Sequence, residues 1–175
     1  MKKITVILIV SIIFTCCKTE GKSEETSTVE KIIEIKIESI NYDGLELLLN
    51  KNDNKTYVIN FWATWCKPCV EELPAFEQLQ KNYDNKNVVV ILVSLDFPNQ
   101  LESRLIPFVM QHKIKSHVVL MVDADSNTWI PKVDKNWSGA IPATLIYNKN
   151  MRQFYEQSFT YKSLDSTLSN FLKTP

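Results

Sequence analysis

Apolar and polar residues follow two different periods along this chain, and the changes between them predict its elements. Ile33, Ile35 and Ile37 alternate with charged residues, which is the period of a strand with one buried face. The segments 56–61 and 88–95 are nearly continuous apolar runs, as expected for central strands that are covered on both faces.

Helical spacing predicts helices in four segments. They are 43–50, a stretch from the cysteines at 66 and 69 to near Tyr83, 100–113 with Leu101, Leu105, Phe108 and Val109 on one face, and 161–172 with Leu164, Leu168 and Leu172 on one stripe. A short buried strand is predicted at 118–122, and 142–148 and 153–159 are predicted to form a hairpin around a turn at 149–150. The order predicts an α/β fold with a central mixed β-sheet flanked by helices and a C-terminal antiparallel hairpin and helix.

The N-terminal segment differs from the rest of the chain. Two lysines follow Met1, and residues 4–15 form an apolar run that is too short to span a bilayer comfortably and typical of a secretory signal. A buried N-terminal element is disfavoured because the polar stretch that follows would leave its apolar faces uncovered. Residues 18–31 are rich in Lys, Glu, Ser and Thr, which predicts a flexible tether. We therefore expect a signal segment at 1–17, a tether at 18–31 and one domain at 32–175.

The apolar run ends in Phe14-Thr15-Cys16-Cys17, which resembles a bacterial lipoprotein signal. In that pattern a cysteine just after the run receives the lipid and becomes the mature N-terminus, so Cys16 or Cys17 is the expected lipid attachment site. Ordinary signal cleavage and an uncleaved anchor are the alternatives.

Composition and charge narrow the class of protein. The 175 residues are 45% hydrophobic, which is enough for a buried core. The 20 basic and 20 acidic side chains cancel at pH 7, so no large field of one sign suggests a nucleic-acid partner. Outside the signal the chain has only Cys66 and Cys69. A structural staple is disfavoured because closing so short a loop removes little unfolded-state entropy.

The segment Phe61 to Phe76 contains the candidate chemistry. Cys66 follows a buried strand and precedes a helix, where unpaired backbone N–H groups and the helix dipole favour a thiolate. Lys67 adds a positive charge, and Pro68 suits the start of a helix. Cys69 lies one turn further on, where it can attack a mixed disulfide formed on Cys66.

Helical geometry separates the two glutamates of this segment. At about 100° per residue, Glu72 lies on the same side as Cys69 and Phe76, whereas Glu71 points to solvent. A carboxyl buried near a dithiol has a raised pKa and can exchange protons with the attacking or leaving cysteine. The alternative is that Glu72 only caps or salt-bridges the helix start. Pro74 lies on the opposite side, where it kinks the helix without entering the core.

Metal binding is not expected, because two cysteines and two histidines would have to supply about four ligands. His112 and His117 are five residues apart near element ends, so both are predicted to be surface residues.

The run Phe61-Trp62-Ala63-Thr64-Trp65-Cys66-Lys67-Pro68-Cys69, with Pro74 and Ile141-Pro142-Ala143-Thr144, resembles the thioredoxin superfamily. The closer resemblance is to the exported TlpA/ResA-type thiol-disulfide reductases, which have an inward glutamate where Glu72 stands. Thioredoxin itself has a buried aspartate at the position of Asn60. Lys67 occupies a position that varies among relatives and tunes the potential.

The resemblance implies that Cys66 attacks a substrate disulfide and that Cys69 resolves the mixed disulfide, with Glu72 in proton transfer. It implies that Pro142 is a cis-proline and that Trp65, Ile141 and Pro142 frame the substrate groove. Simple core packing for Trp65 and a plain loop position for Ile141 are the alternatives.

The resemblance further implies a protein-disulfide reductase with no cofactor beyond the redox-active pair. Its expected location is the bacterial cell envelope, facing the periplasm and anchored to the membrane by lipid. The expected partners are disulfide-containing exported proteins, among them apocytochrome c, and a membrane electron carrier that restores the dithiol. Two other functions are considered. The first is a thiol peroxidase, which would need an arginine near its reactive cysteine; the only arginines in the sequence are Arg104 and Arg152. The second is a copper-delivery protein that would bind the metal through the two cysteines and a distal histidine.

Overall fold

The structure, a computed structural model, describes residues 36–173. The expected signal segment, the tether, Cys16 and Cys17, and the predicted strand positions Ile33 and Ile35 lie outside the described residues. Ile37 is buried, as its alternating pattern predicts, but it precedes the first strand, which begins at Glu38.

Six strands form one mixed sheet in the described part of the chain. They are β1 (Glu38–Ile40), β2 (Thr56–Trp62), β3 (Val88–Ser94), β4 (His117–Met121), β5 (Ala143–Tyr147) and β6 (Arg152–Tyr155), in the order β1-β4-β3-β2-β5-β6. The strands β1, β4, β3 and β2 are parallel, β5 runs antiparallel to its neighbour β2, and β6 runs antiparallel to β5. The mixed sheet with a C-terminal hairpin confirms the predicted fold class.

Helices cover both faces of this sheet. They are α1 (Tyr42–Leu49), α2 (Lys67–Tyr83), α3 (Ile106–Gln111), α4 (Ser126–Val133) and α5 (Tyr161–Lys173). Buried residues of α2, α3 and α5 share one hydrophobic cluster, and those of α1 and α4 share the other. Three layers result, with the sheet between two helical layers.

Alternation along β2 explains how both layers are filled. All seven of its residues are buried. Val58 and Trp62 contribute to the cluster under α2, whereas Tyr57, Ile59 and Phe61 contribute to the cluster under α1 and α4. Asn60, which lies between Val58 and Trp62, therefore faces α2.

The structure differs from the predicted elements in several places. The 100–113 helix is a 3₁₀ turn at Pro98–Gln100, a π-helical turn at Leu101–Leu105 and then α3. The second hairpin strand ends at Tyr155 rather than at 159, because the chain leaves the sheet there. The helix α4 was not predicted, since Pro131 interrupts its short pattern. The stripe on α5 is completed by buried Phe171 and not by Leu172, which is 42% exposed.

Candidate active site

Cys66 and Cys69 form a disulfide at the amino end of α2, with a sulfur–sulfur distance of 2.02 Å. The strand β2 ends at Trp62, and the loop Ala63 to Trp65 carries the chain to the helix. Both cysteines are buried, Cys69 completely. The pair is therefore held between the sheet and the first turn of the helix, as the sequence predicts.

Cys66 occupies the N-cap position of α2. Its Sγ accepts a hydrogen bond from the backbone N–H of Cys69 at 3.3 Å and lies 3.7 Å from the carbonyl oxygen of Ile141. In the reduced protein the same N–H and the helix dipole stabilise a thiolate on Cys66. Cys66 is thus the better nucleophile of the pair.

Lys67 and Glu71 lie on the solvent side of the same helix. Their side chains are 85% and 66% exposed, with 3.8 Å between the Lys67 ammonium and a Glu71 oxygen. Water screens a charge in such a position, so the influence of Lys67 on the cysteines is small. Pro74 is also exposed and does not enter the core.

Glu72 points inward from α2 and is only 3% exposed. One carboxylate oxygen accepts from the Asn60 side chain at 2.7 Å, and the other accepts from the backbone N–H of Phe159 at 2.7 Å. Burial raises the pKa of Glu72 to about 7, although both hydrogen bonds act in the opposite direction. The carboxyl can therefore gain or lose a proton near neutral pH.

The amide of Asn60 holds this carboxyl in place from the sheet. Its Nδ2 also donates to the Thr144 hydroxyl at 3.2 Å, across the β2–β5 ladder. Among the described residues, Oδ1 of Asn60 is a buried atom without a hydrogen-bond partner. Asn60 thus stabilises the charged form of Glu72 by donation while adding no charge of its own, unlike the aspartate of thioredoxin.

A groove connects Glu72 with solvent. It has a volume of about 480 Å³ and runs between α2 and the segment 158–161. Pro68, Glu72 and Phe159 are among the residues that line it. The groove gives the carboxyl a route for exchanging protons with water while the cysteines stay buried.

Ile141, Pro142 and Trp65 lie beside the disulfide. The Ile141–Pro142 peptide is cis, as predicted, and Pro142 is buried next to β5. The Ile141 carbonyl makes the contact with Cys66 described above, and the Trp65 side chain is 49% exposed. An exposed tryptophan is not simple core packing, so this alternative is wrong.

Asp96 is a site residue that was not predicted from the sequence. It is 2% exposed and accepts from the Thr64 backbone N–H at 3.0 Å, the Thr64 hydroxyl at 2.5 Å and the Ser94 hydroxyl at 2.8 Å. These bonds fix the loop that presents Trp65 and Cys66. The only available signal was an aspartate directly after a buried strand, which also fits an ordinary loop.

The two histidines are surface residues, as predicted. His112 stacks on Phe108 with 4.0 Å between ring centroids, and His117 begins β4. Since β2 and β4 run in the same direction through β3, His117 lies at the opposite end of the sheet from Cys66. Within residues 36–173, no group of three or more His, Cys, Asp or Glu side chains could hold a metal ion. Over the same residues, no helix is long and apolar enough to cross a membrane.

Comparison with known proteins places this site in a family. The model of the AhpC/TSA family matches residues 29–152. The ResA thiol-disulfide oxidoreductase of Bacillus thuringiensis subsp. konkukian is 30% identical over 127 residues, which cover 69% of this chain and 72% of that protein. The thioredoxin-like protein YneN of Bacillus subtilis is 61% identical over 47 residues, 27% of this chain but only 28% of YneN.

A solved structure shows the same fold. The thioredoxin-related protein from Neisseria meningitidis serogroup B superposes with a TM-score of 0.59 at 24% identity, over 73% of this chain and 91% of that one. The fold is therefore thioredoxin-like, as the sequence resemblance implies. The chain belongs to the AhpC/TSA family and, within it, to the thiol-disulfide oxidoreductases of the ResA type.

Proposed function

We propose that this protein is a membrane-anchored, extracytoplasmic reductase of disulfides in exported proteins. The observation that carries the proposal is the placement of the Cys66–Cys69 pair at the amino end of α2, one turn before a buried carboxyl of the same helix whose pKa is about 7. Such a site joins a stabilised thiolate to a group that can move protons at neutral pH.

The first step uses the reduced protein. The Cys66 thiolate attacks one sulfur of the substrate disulfide, so that a bond forms between Cys66 and the substrate while the substrate S–S bond breaks. The departing substrate sulfur takes the electron pair of that bond and leaves as a thiolate, which is then protonated. The N–H of Cys69 and the helix dipole support the attacking sulfur.

The second step releases the substrate. Cys69 loses its proton, attacks Sγ of Cys66, and forms the Cys66–Cys69 disulfide as the second substrate sulfur departs. Two electrons have then passed from the protein to the substrate. Glu72 lies three residues after Cys69 on the same buried face. Its carboxylate is the proposed acceptor of the Cys69 proton, which returns to water through the groove along α2.

The proposed docking site is the surface formed by Trp65, Ile141 and Pro142. The Ile141 carbonyl lies next to Cys66 Sγ, so a substrate backbone in an extended conformation can lie along it with its disulfide at the nucleophile. The exposed ring of Trp65 offers an apolar contact on the other side.

The proposed partners follow from the chemistry. Each cycle leaves Cys66 and Cys69 oxidised, so a dithiol or membrane electron carrier must restore them, and lipid attachment at Cys16 or Cys17 would keep the protein near that carrier. The signal-like N-terminus supports export. Exported proteins with disulfides, apocytochrome c among them, are the proposed substrates.

The test is the midpoint potential of the Cys66–Cys69 couple, measured in the 175-residue chain by equilibration in thiol buffers. The Cys69→Ser variant controls for two-electron behaviour, because it cannot close the disulfide. A value near about −270 mV, where thioredoxin lies, supports a reductase. A value near about −120 mV, typical of a strong oxidant, would show instead that the protein forms disulfides.

The thiol peroxidase and copper-delivery alternatives gain no specific support from the described residues. Arg152 donates to the carbonyls of Leu49 and Val133, at the ends of α1 and α4, and Arg104 is exposed on the π-helical turn. Peroxide consumption and Cu(I) titration of the reduced protein test the two alternatives directly.

A further inference from the structure

A second cavity lies beside the disulfide, on the side away from Glu72. We call it the Trp65 cavity; it has a volume of about 500 Å³, within the usual range of ligand pockets of about 300–1,000 Å³. Its walls include Trp65, Phe97, Met121, Trp129 and Ile130. The cavity is thus apolar and aromatic over most of its surface.

The parallel strands place this cavity next to Cys66. Phe97 follows the carboxyl end of β3, and Met121 ends β4. Since β2, β3 and β4 are parallel, these ends lie at the same edge of the sheet as the loop that leads to Cys66. The helix α4 forms a further wall through Trp129 and Ile130.

Two exposed aromatic side chains stand at this cavity. Trp65 is 49% exposed and Phe97 is 61% exposed. Only three other large hydrophobic residues in the described part of the chain are comparably exposed, namely Leu47, Met110 and Leu172, and none of them lines the cavity. Aromatic surface left in water beside a reactive disulfide is suited to contact with a partner.

The charged residues that line the Trp65 cavity are acidic. Asp96 and Asp123 line it, and among the described residues no Lys, Arg or His does so. The carboxylate of Asp96 is occupied by Thr64 and Ser94. Asp123 is only partly buried, and its position is fixed because its Oδ1 accepts from the N–H of Asp125 at 3.1 Å.

An apolar cavity with a fixed carboxylate at its wall matches one kind of peptide. An apolar side chain fills the aromatic part, and a neighbouring Lys or Arg can meet Asp123 or lie over an aromatic face. An acidic neighbour would instead face a like charge.

We propose that the Trp65 cavity selects disulfide substrates in which an apolar residue and a Lys or Arg lie close to the reacting cysteine. This inference rests on the proposed function, since it names the substrate class of the same site.

The test compares reduction rates of three synthetic peptides that differ only beside an intramolecular disulfide: Phe with Lys, Phe with Glu, and Ser with Lys. The reduced 175-residue chain is mixed with each peptide, and the second-order rate constant of this single reduction is compared within each protein variant. Hydroxyethyl disulfide, which is small and uncharged, measures activity that does not require the cavity.

The expected preference for Lys over Glu is about fivefold at low salt, and it should diminish in about 1 M salt because exposed charges are screened. The preference for Phe over Ser should be about tenfold and should survive the salt. Asp123→Asn should reduce the Lys preference, whereas Asp84→Asn, an exposed carboxylate at the far end of α2, should leave it unchanged. Phe97→Ala should reduce the Phe preference, and Leu47→Ala should not.

Two failures can be told apart. If hydroxyethyl disulfide is reduced but the three peptides react within twofold of one another, the inference is wrong and the proposed function stands. The same conclusion follows if Asp123→Asn changes the Lys preference no more than Asp84→Asn does. If no disulfide is reduced, the proposed function fails as well.

Discussion

At the scale of single residues, Glu72 combines a structural cost with a chemical use. Its carboxyl is removed from water and accepts hydrogen bonds from Asn60 and from the backbone N–H of Phe159. Burial of this kind penalises the charged form and raises the pKa to about 7. The protein therefore keeps a proton-exchanging group at the cost of stability at higher pH.

We expect the oxidised protein to become less stable relative to its Glu72→Gln variant as the pH rises from 4 to 8. Because the pKa of Glu72 is about 7 in the folded state and 4.5 as the reference value, the native state binds more protons over that window. Stability from the protonated carboxyl is therefore present below pH 4.5 and lost as the pH rises through 7, by about 3 kcal/mol in total. Urea unfolding at several pH values measures this difference.

The exposed neighbour provides the control for this measurement. Glu71→Gln removes an equal charge from the same helix, but its side chain is in water. It therefore controls for the loss of one negative charge at the surface of α2. An identical pH dependence for the wild type and Glu72→Gln would contradict a raised pKa.

Thr64 should be a measurable anchor of the active-site loop. Thr64→Val keeps the shape of the side chain but removes the hydroxyl that donates to Asp96 at 2.5 Å. A hydrogen bond to a buried carboxylate contributes about 2 kcal/mol, so the free energy of unfolding should fall by about that amount. Thr64→Ser retains the hydroxyl and should cost much less. Equal losses in both variants would show that the methyl group, and not the bond to Asp96, matters.

The carboxyl groups of Glu72 and Asp96 differ in how far their roles could be predicted from the sequence. Glu72 was predicted to face inward because its position relative to Cys69 and Phe76 on one helix fixes its side. Asp96 was not predicted, because its partner Thr64 lies 32 residues earlier in the chain and only the sheet brings the two residues together. Helical spacing predicts which side of its own helix a side chain faces, whereas contacts between strands depend on the register of the sheet.

At the scale of elements, the packing of α5 against its neighbours decides which of its apolar residues are buried. Leu164 and Leu168 are fully buried where α5 packs against α2, and the third position is taken by Phe171. Spacing alone allows either residue 171 or 172, since both lie one to two turns after Leu164 and Leu168. The position of α2 selects the one that faces the core.

Leu168→Ala and Leu172→Ala make a matched pair for testing this packing. Leu168 is fully buried, so its truncation should cost about 2–5 kcal/mol of unfolding free energy through lost burial and a cavity. Leu172 is 42% exposed, and its truncation should cost less than about 0.5 kcal/mol. Chemical denaturation of both variants measures the difference. Similar losses in the two variants would show that Leu172 packs in the core, as the sequence predicted.

The segment between β3 and β4 was predicted as one helix but is built from three short pieces. Pro98 and Pro107 lack a backbone N–H, and a π-helical turn lies between them. Leu105 and Val109 are nevertheless buried, as their spacing predicts. Apolar spacing thus identified the buried side of the segment, while the backbone hydrogen bonding followed from the prolines and the packing.

At the scale of the whole molecule, the sheet brings the active-site residues together at one end of its strands. Parallel β2, β3 and β4 bring Cys66, Asp96 and the Trp65 cavity to their carboxyl ends, and antiparallel β5 brings Pro142 to the same place. On one side of the disulfide lies the groove with Glu72, and on the other lies the Trp65 cavity. In the proposed function, proton exchange and substrate recognition therefore take place on opposite sides of the disulfide.

The sequence by itself determined the order of the strands, the cysteine pair, the inward direction of Glu72 and the resemblance to the exported reductases. These depend on local periodicity or on residues adjacent in the chain, which the linear pattern records. Only the tertiary structure decided the partners of Glu72, the role of Asp96, the choice of Phe171 over Leu172 and the acidic, aromatic cavity beside Trp65. Each of these joins residues that are distant in the chain, so its energy depends on strand register and helix packing that local patterns do not encode.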